Sequence, residues 1–172
     1  ADDGTPELLD TYYINRELET LYAHGEDELF VGTTTGTLVL EVADDGEMSL
    51  TAVVDHARSC DPVVAHDEAM YITLRNGGTS DCEGSDYDNH LLVYNIHNLY
   101  APTLVTSFRL NQPRGLALAD DWLLVCHADG LMVYDVSSRL LPQEVQNFSQ
   151  FSCNDVIVIG ERVYLTSDSG VS

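Results

Sequence analysis

The chain has 172 residues and a formal net charge of −22 at pH 7, because seven arginines and no lysine stand against 29 aspartates and glutamates. Such a surface repels nucleic acid phosphate and anionic membrane, which argues against both as partners. No apolar run approaches the roughly 20 residues of a membrane helix, so membrane insertion is not expected. The simplest interpretation of the charge is solubility in a salty or calcium-containing medium.

Strand-like runs recur along the chain with a period near 40 residues. The clearest begin at Glu28 (ELFVGTTTGTLVLEV), Ala69 (AMYITLR), Trp122 (WLLVCHADGLMVYDV) and Arg162 (RVYLTSDSGV). The aliphatic residues at the fourth place of these runs are spaced 41, 53 and 40 residues apart, and they are Val31, Ile72, Val125 and Leu165. The spacing of 53 agrees with the other two if the polar stretch from Asn76 to His90 is an insertion within one unit.

This repeat predicts an all-β fold, a β-propeller of four-stranded antiparallel blades, because short runs bounded by turn residues at this period are typical of propellers. We expect one propeller region over 1–172. Its predicted parts are 7–14 as the last strand of a preceding or shared blade, 15–55 as blade 1, 56–109 as blade 2 with the insertion 76–90, 113–148 as blade 3 and 154–172 as the start of blade 4. The second strands are predicted near 29–34, 70–75, 122–127 and 162–167.

The two ends suggest that the propeller is completed by other strands. ELLDTYYI near the start resembles the fourth strand of a unit, and the last unit stops as its third strand should begin. The termini could complete one blade together, but four blades is the lower limit of the usual range. We favour a longer propeller or a second copy that supplies the missing strands, and we expect Glu7–Ile14 to pair with another β edge.

Three segments together resemble the LVIVD-repeat propellers of bacterial secreted and surface-anchored proteins. They are SCDPVVAHDEAMYITLR, the later Cys82 before HLLVYNI, and PRGLALADDWLLVCHADGLMVYDV. The resemblance implies a propeller, export and frequent attachment to the cell envelope, hence an extracellular or cell-surface location. The acidic start of the chain is also what a mature end looks like after an export signal is removed. The chain departs from the family in lacking lysine and in having few repeats.

Four cysteines fit an oxidising compartment. Alignment of the repeats places Cys60 and Cys153 in equivalent loops entering a first strand, with Cys82 in the insertion and Cys126 at the end of a second strand. These loops open on one face of a propeller, so we predict a Cys60–Cys82 disulfide within blade 2. A Cys126–Cys153 disulfide between blades is the second prediction, with free buried thiols as its alternative.

The insertion contains four carboxylates within eight residues, Asp81, Glu83, Asp86 and Asp88. Oxygen ligands of this kind could hold Ca²⁺, the one cofactor that the sequence indicates. The loop lacks the EF-hand pattern, and an acidic loop in an acidic protein is more often simply solvated. No histidine spacing typical of zinc occurs.

The loops entering the first strands bring one residue per blade toward the central channel. By alignment these are Thr20, Asp61, Arg114 and Asn154, with Arg16 and Arg58 close by. Three arginines at this mouth could hold a carboxylate or sulfate ligand. The alternative, which we favour from sequence, is an ordinary Arg–Asp pair that seals the channel.

No catalytic motif is present, so an enzyme is not expected. Asn147-Phe148-Ser149 is a formal N-glycosylation sequon. The leading hypothesis is a non-catalytic extracellular interaction or scaffold module whose partner is another protein or further copies of itself. The alternative is a propeller that binds a small ligand or glycan on the loop face carrying the 76–90 insertion.

Overall fold

Each strand of the described chain pairs with its neighbour in sequence, and the sheets repeat. The computed structural model describes residues 5–56, 62–75 and 89–171. The first sheet contains β1 (Leu18–His24), β2 (Glu28–Thr33), β3 (Gly36–Val42) and β4 (Met48–Asp55). The second contains β5 (Val63–His66), β6 (Ala69–Leu74), β7 (His90–Asn95) and β8 (Thr103–Arg109). The third contains β9 (Leu116–Ala119), β10 (Trp122–His127), β11 (Gly130–Asp135) and β12 (Gln143–Phe148). The fourth contains β13 (Asp155–Ile159), β14 (Arg162–Ser167) and β15 (Gly170–Val171).

Each sheet is an antiparallel meander, and the four sheets are the blades of a β-propeller, numbered 1 to 4 along the chain. The first strands contact one another in turn, β1 with β5, β5 with β9 and β9 with β13, which places them nearest the axis. The predicted fold class is therefore confirmed. The predicted second strands are confirmed as well, because β2, β6, β10 and β14 occupy these places with shifts of at most one residue.

The turn between the first and second strands contains one residue in the left-handed backbone conformation in each blade, although the turn has three residues in blade 1 and two in the other blades. One residue in each turn has a positive φ, with values of 64° for Gly25, 50° for Asp67, 51° for Asp120 and 59° for Gly160. Glycine takes this conformation without steric cost, and aspartate is among the side chains that tolerate it best. The repeat in sequence is thus a repeat of local backbone conformation.

Neighbouring blades pack face to face. Successive side chains of a strand point to opposite faces of its blade, so alternate residues contact different neighbouring blades. In the second strand of each inner blade, the third residue faces the following blade and the fourth faces the preceding one. The clusters join Phe30 with Ile72, Tyr71 with Val125, and Leu124 with Leu165. Blades 2 and 3 are consequently covered on both faces, and β6 is buried along its whole length.

In the part of the chain that the structure describes, blades 1 and 4 each keep one face that no other blade covers. Within the described residues, no contact as extensive as those between consecutive blades joins blade 4 to blade 1. The outer face of blade 1 contains Val31, the fourth residue of β2, together with Leu38 and Leu40. We call this the receiving face, because the same side of blades 2 to 4 receives the preceding blade.

The predicted strand at 7–14 is wrong for the single chain, because residues 5–17 contain no strand. The segment lies across the receiving face instead of along a strand edge. Tyr12 and Ile14 pack against the apolar cluster there, and the Asp10 carboxylate accepts a hydrogen bond of 2.9 Å from the Met48 amide. Covering apolar side chains outweighs backbone pairing here, since burial removes apolar area from water.

Ile72→Ala should destabilise the fold by about 2–5 kcal/mol, because its fully buried side chain fills the interface between blades 1 and 2. Urea unfolding followed by circular dichroism measures this difference. Leu104→Ala, at an exposed site on β8, is the control and should change the free energy of unfolding by less than about 0.5 kcal/mol. Equal effects of the two substitutions would contradict the packing described.

Candidate functional site

A disulfide between Cys126 and Cys153 joins blades 3 and 4. Cys126 lies in β10 and Cys153 precedes β13, and their Cα atoms are 5.1 Å apart. Both residues are buried. The structure thus forms the second of the two predicted disulfides. The other predicted pair, Cys60 and Cys82, lies outside the described residues.

Arg114 is held next to this disulfide by both cysteines. Its backbone amide donates to the Cys126 carbonyl at 2.7 Å. Its Nη1 donates to the Cys153 carbonyl at 3.4 Å and to the Asn154 side-chain oxygen. The bonded cysteines therefore fix where the guanidinium of Arg114 lies.

Asn154 is itself fixed by bonds within blade 4. Its backbone amide donates to the Thr166 carbonyl at 2.7 Å, and its Nδ2 donates to the Asp168 carboxylate at 2.8 Å. The carboxylate can only accept, so the amide nitrogen must face Asp168 and the amide oxygen must face Arg114. The contact between Arg114 and Asn154 is thus set by hydrogen bonds on both sides.

Arg114 and Asn154 line a cavity of about 250 Å³ to which all four blades contribute. Its lining residues are Glu19, Thr20, Pro62, Arg75, Arg114, Gly115, Asn154 and Asp155. We call it the axial cavity, because its residues lie in or beside the first strands. Position 115 requires glycine because Asp155 of blade 4 lies close to its backbone. A Cβ there would lie 2.7 Å from the Asp155 Cα and overlap the Asp155 carboxylate.

The structure brings together three of the residues predicted at the channel mouth, Thr20, Arg114 and Asn154. Arg16, predicted close to the channel mouth, is not among the residues that line the axial cavity. Its guanidinium lies 3.3 Å from both the Thr35 hydroxyl and the Asp55 carboxylate, so blade 1 itself satisfies the charge. Arg58 and Asp61 lie outside the described residues.

Sequence reasoning missed Glu19, Arg75 and Asp155 as lining residues of the axial cavity. Arg75 directly follows β6, and the end of a second strand opens on the same face as the start of a first strand. The rule that placed the cysteines on one face could therefore have found Arg75. Asp155 begins β13, directly after Asn154, and could have been found by extending the alignment by one residue.

Arg139 forms a second charged network on the opposite side of the propeller. It follows β11 and reaches the turn of blade 2, where its Nε donates to Asp67 at 2.9 Å, while its Nη1 donates to Asp121 at 2.8 Å. Its carbonyl accepts the Tyr71 hydroxyl at 2.6 Å. The hydrogen bond from Arg139 lowers the pKa of Asp67, with His66 contributing in the same direction. This network ties blade 2 to blade 3.

The remaining predicted sites divide between described and undescribed residues. The calcium candidates Asp81, Glu83, Asp86 and Asp88 lie outside the described residues. Across 5–56, 62–75 and 89–171, no group of three or more His, Cys, Asp or Glu side chains is placed to hold a metal ion. Asn147 is exposed on β12, with its Oδ1 3.3 Å from His127 Nε2. The same part of the chain has no helix that is long and apolar enough to cross a membrane.

A solved structure shares this fold at low sequence identity. The crystal structure of the computationally designed Ika4 protein matches with a TM-score of 0.67 and 15% identity, covering 98% of this chain and 96% of Ika4. That likeness shows a common fold alone. BamB from Moraxella catarrhalis matches with a TM-score of 0.44 and 14% identity, and the match covers 96% of this chain but 60% of BamB. No protein-family model and no curated protein matches the sequence.

The double substitution Cys126→Ala/Cys153→Ala should lower stability by roughly 3–4 kcal/mol, because the bond closes a loop with a sequence separation of 27. Urea unfolding under oxidising conditions measures the loss. With a reductant in both samples, the difference from the wild type should shrink to the effect of two smaller side chains. Equal stability of the two proteins without reductant would contradict the interblade role.

Asp67→Asn should destabilise the protein at neutral pH but not at low pH. The folded-state pKa of Asp67 lies below its ordinary value of 3.8, so its contribution is complete above that value and is lost as the pH falls through the folded pKa. Thermal melts of both proteins between neutral pH and pH 3 measure the difference. Asp44→Asn, in the exposed turn after β3, controls for the loss of one negative charge. A difference that persists unchanged at the lowest pH would contradict this role for the carboxylate.

Proposed function

We propose that this chain is a non-catalytic, extracellular scaffold module of the LVIVD-repeat type that assembles with further copies of itself through its two end blades. The propeller fold is that of a generic interaction module. The observation that carries the proposal is that the faces of blades 1 and 4 that no other described blade covers are apolar and of opposite kinds.

The face of blade 4 that no other described blade covers corresponds to the face that packs against the following blade in blades 1 to 3. Tyr164 is the third residue of β14, the position of Tyr71 in β6 and Leu124 in β10. Ile157 pairs with Tyr164 across the sheet and shares its face. Ile157 and Ile159 are exposed. Exposed isoleucines do not help to keep an acidic surface soluble, so another role is needed to explain them. We call these residues the donating face.

The receiving face of blade 1 is only partly filled by the N-terminal segment. A groove of about 380 Å³ remains between the segment and the blade. Its lining is mostly apolar and includes Tyr12, Ile14, Leu18, Leu21, Val31 and Met48. Leu18 and Leu21 are largely exposed at its edge. The donating face of a second copy would bring β-branched apolar side chains to this groove.

Packing of a donating face onto a receiving face would continue the rule that joins blades 1 to 4. Because the two faces differ, the contact is heterologous, and repeated contacts close a ring or extend a filament. The contact would remove the exposed apolar area of Ile157 and Ile159 from water. This burial favours association by about 1 kcal/mol for each side chain. If two copies close a ring, each copy covers both end faces of the other.

The proposed extracellular location is supported by three features. The repeats resemble those of secreted and surface-anchored LVIVD propellers, the disulfide between Cys126 and Cys153 suits an oxidising compartment, and the net charge of −22 suits a salty medium. The axial cavity favours small-ligand binding as a second function.

The double substitution Ile157→Ser/Ile159→Ser should weaken self-association by roughly 30-fold, as expected for a loss of about 2 kcal/mol. Sedimentation over a range of protein concentrations measures it. The matched control is Val105→Ser/Val145→Ser on the fourth strands of blades 2 and 3, where exposure of 41% and 52% compares with 57% and 61% for the isoleucines. A wild-type chain that stays monomeric at all concentrations would overturn the proposal.

A mixing experiment tests whether the contact is heterologous. One variant carries the damaged donating face, and another carries Leu18→Ser/Leu21→Ser on the receiving face. At a protein concentration close to the wild-type dissociation constant, each variant alone should be mostly monomeric. An equimolar mixture should form dimers at the same concentration, because one intact face of each kind is then present. Association of either variant alone would show that like faces pair, contrary to the proposal.

A further inference from the structure

Arg114 is a half-buried cation without an acidic partner among the described residues. In a chain with a net charge of −22, carboxylates are abundant, and Arg16 and Arg139 both have one. No described carboxylate lies within 4.0 Å of the Arg114 guanidinium. The Arg–Asp pair expected to seal the channel is therefore not formed by Arg114 within this part of the chain.

The guanidinium is pre-organised but not saturated with hydrogen bonds. Its acceptors among the described residues, the Cys153 carbonyl and the Asn154 side-chain oxygen, both bind Nη1. A guanidinium has five N–H donors, and its geometry matches a carboxylate. Because Asn154 and the disulfide hold the group in place, little side-chain entropy would be lost when an anion binds.

Carboxylates line the same axial cavity beside Arg114. Asp155 accepts a hydrogen bond of 2.9 Å from the Val156 amide, which leaves acceptor capacity on its carboxylate. Glu19 lies on the blade 1 side of the cavity, and Arg75 lies on the blade 2 side. The lining thus contains two groups of each charge, so a ligand with one kind of charge would meet repulsion as well as attraction.

We infer that the axial cavity binds a free α-amino acid, with the ligand carboxylate on Arg114 and its ammonium group on Asp155. A zwitterion satisfies both charges in one small molecule. The cavity volume of about 250 Å³ is below the roughly 300–1,000 Å³ of sites for drug-sized molecules, which suits a ligand of this size. The axial cavity shares Glu19 and Thr20 with the groove on the receiving face, whereas Arg114 and Asp155 line only the axial cavity.

L-alanine, propionate and ethylamine are the probes, because the second and third each keep one charged group of the first on the same two-carbon frame. Titrations followed by amide NMR shifts of Gly115 and Asn154 measure binding. L-alanine should bind at least tenfold more tightly than either single-charge probe. Equal binding of propionate and L-alanine would overturn the zwitterion assignment, and the absence of any shift with L-alanine would overturn the site.

Two variants assign the contacts. Arg114→Gln should weaken L-alanine binding about tenfold or more, while Arg109→Gln, at an exposed arginine on β8, should leave it unchanged. Asp155→Asn keeps an acceptor for the Val156 amide and should reduce the preference for L-alanine over propionate. An unchanged preference would overturn the role of Asp155. Sedimentation of the same variants should match the wild type, so failure here is separable from failure of the proposed assembly.

Discussion

Apolar side chains that alternate along each strand bury both faces of blades 2 and 3, and the rest of the structure depends on this face-to-face packing. Ile72 and Tyr71 are adjacent in β6, yet one packs against blade 1 and the other against blade 3. A continuous apolar run in a second strand is therefore the signature of a blade with two neighbours. The same rule leaves two apolar faces at the ends of the described arc.

Hydrogen bonds, ion pairs and a disulfide also fix how neighbouring blades are placed relative to one another. On one side of the propeller, Arg139 links the turn of blade 2 to its own blade through Asp67 and Asp121. On the other side, the Cys126–Cys153 disulfide and Arg114 link blades 3 and 4. Both arginines lie outside the strands, Arg139 in the loop between β11 and β12 and Arg114 in the connection from blade 2 to blade 3. Loop residues therefore also fix the relative positions of the blades.

The sequence was a good guide to strands and a poorer guide to side-chain partners. Alignment by the repeat brought Thr20, Arg114 and Asn154 to one cavity, because equivalent positions in a propeller are related by rotation about one axis. Arg16 precedes β1 by two residues and pairs with Asp55 at the end of β4, without lining that cavity. In the single chain, residues 7–14 form no strand, although their apolar character resembled one. Strand-like composition shows that a segment has apolar residues to bury, but not whether it does so by edge pairing or by covering a face.

The sequence by itself determined the all-β class, the propeller repeat, the places of the second strands and the face on which loop residues meet, because all of these follow from periodicity in one dimension. Only the tertiary structure decided which charged groups pair, that Arg75 and Asp155 join Arg114 at the axis, and that the N-terminal segment crosses the receiving face. These outcomes depend on distances of a few ångströms between residues far apart in the chain. A long arginine side chain can reach several carboxylates, and the packing of the blades selects among them.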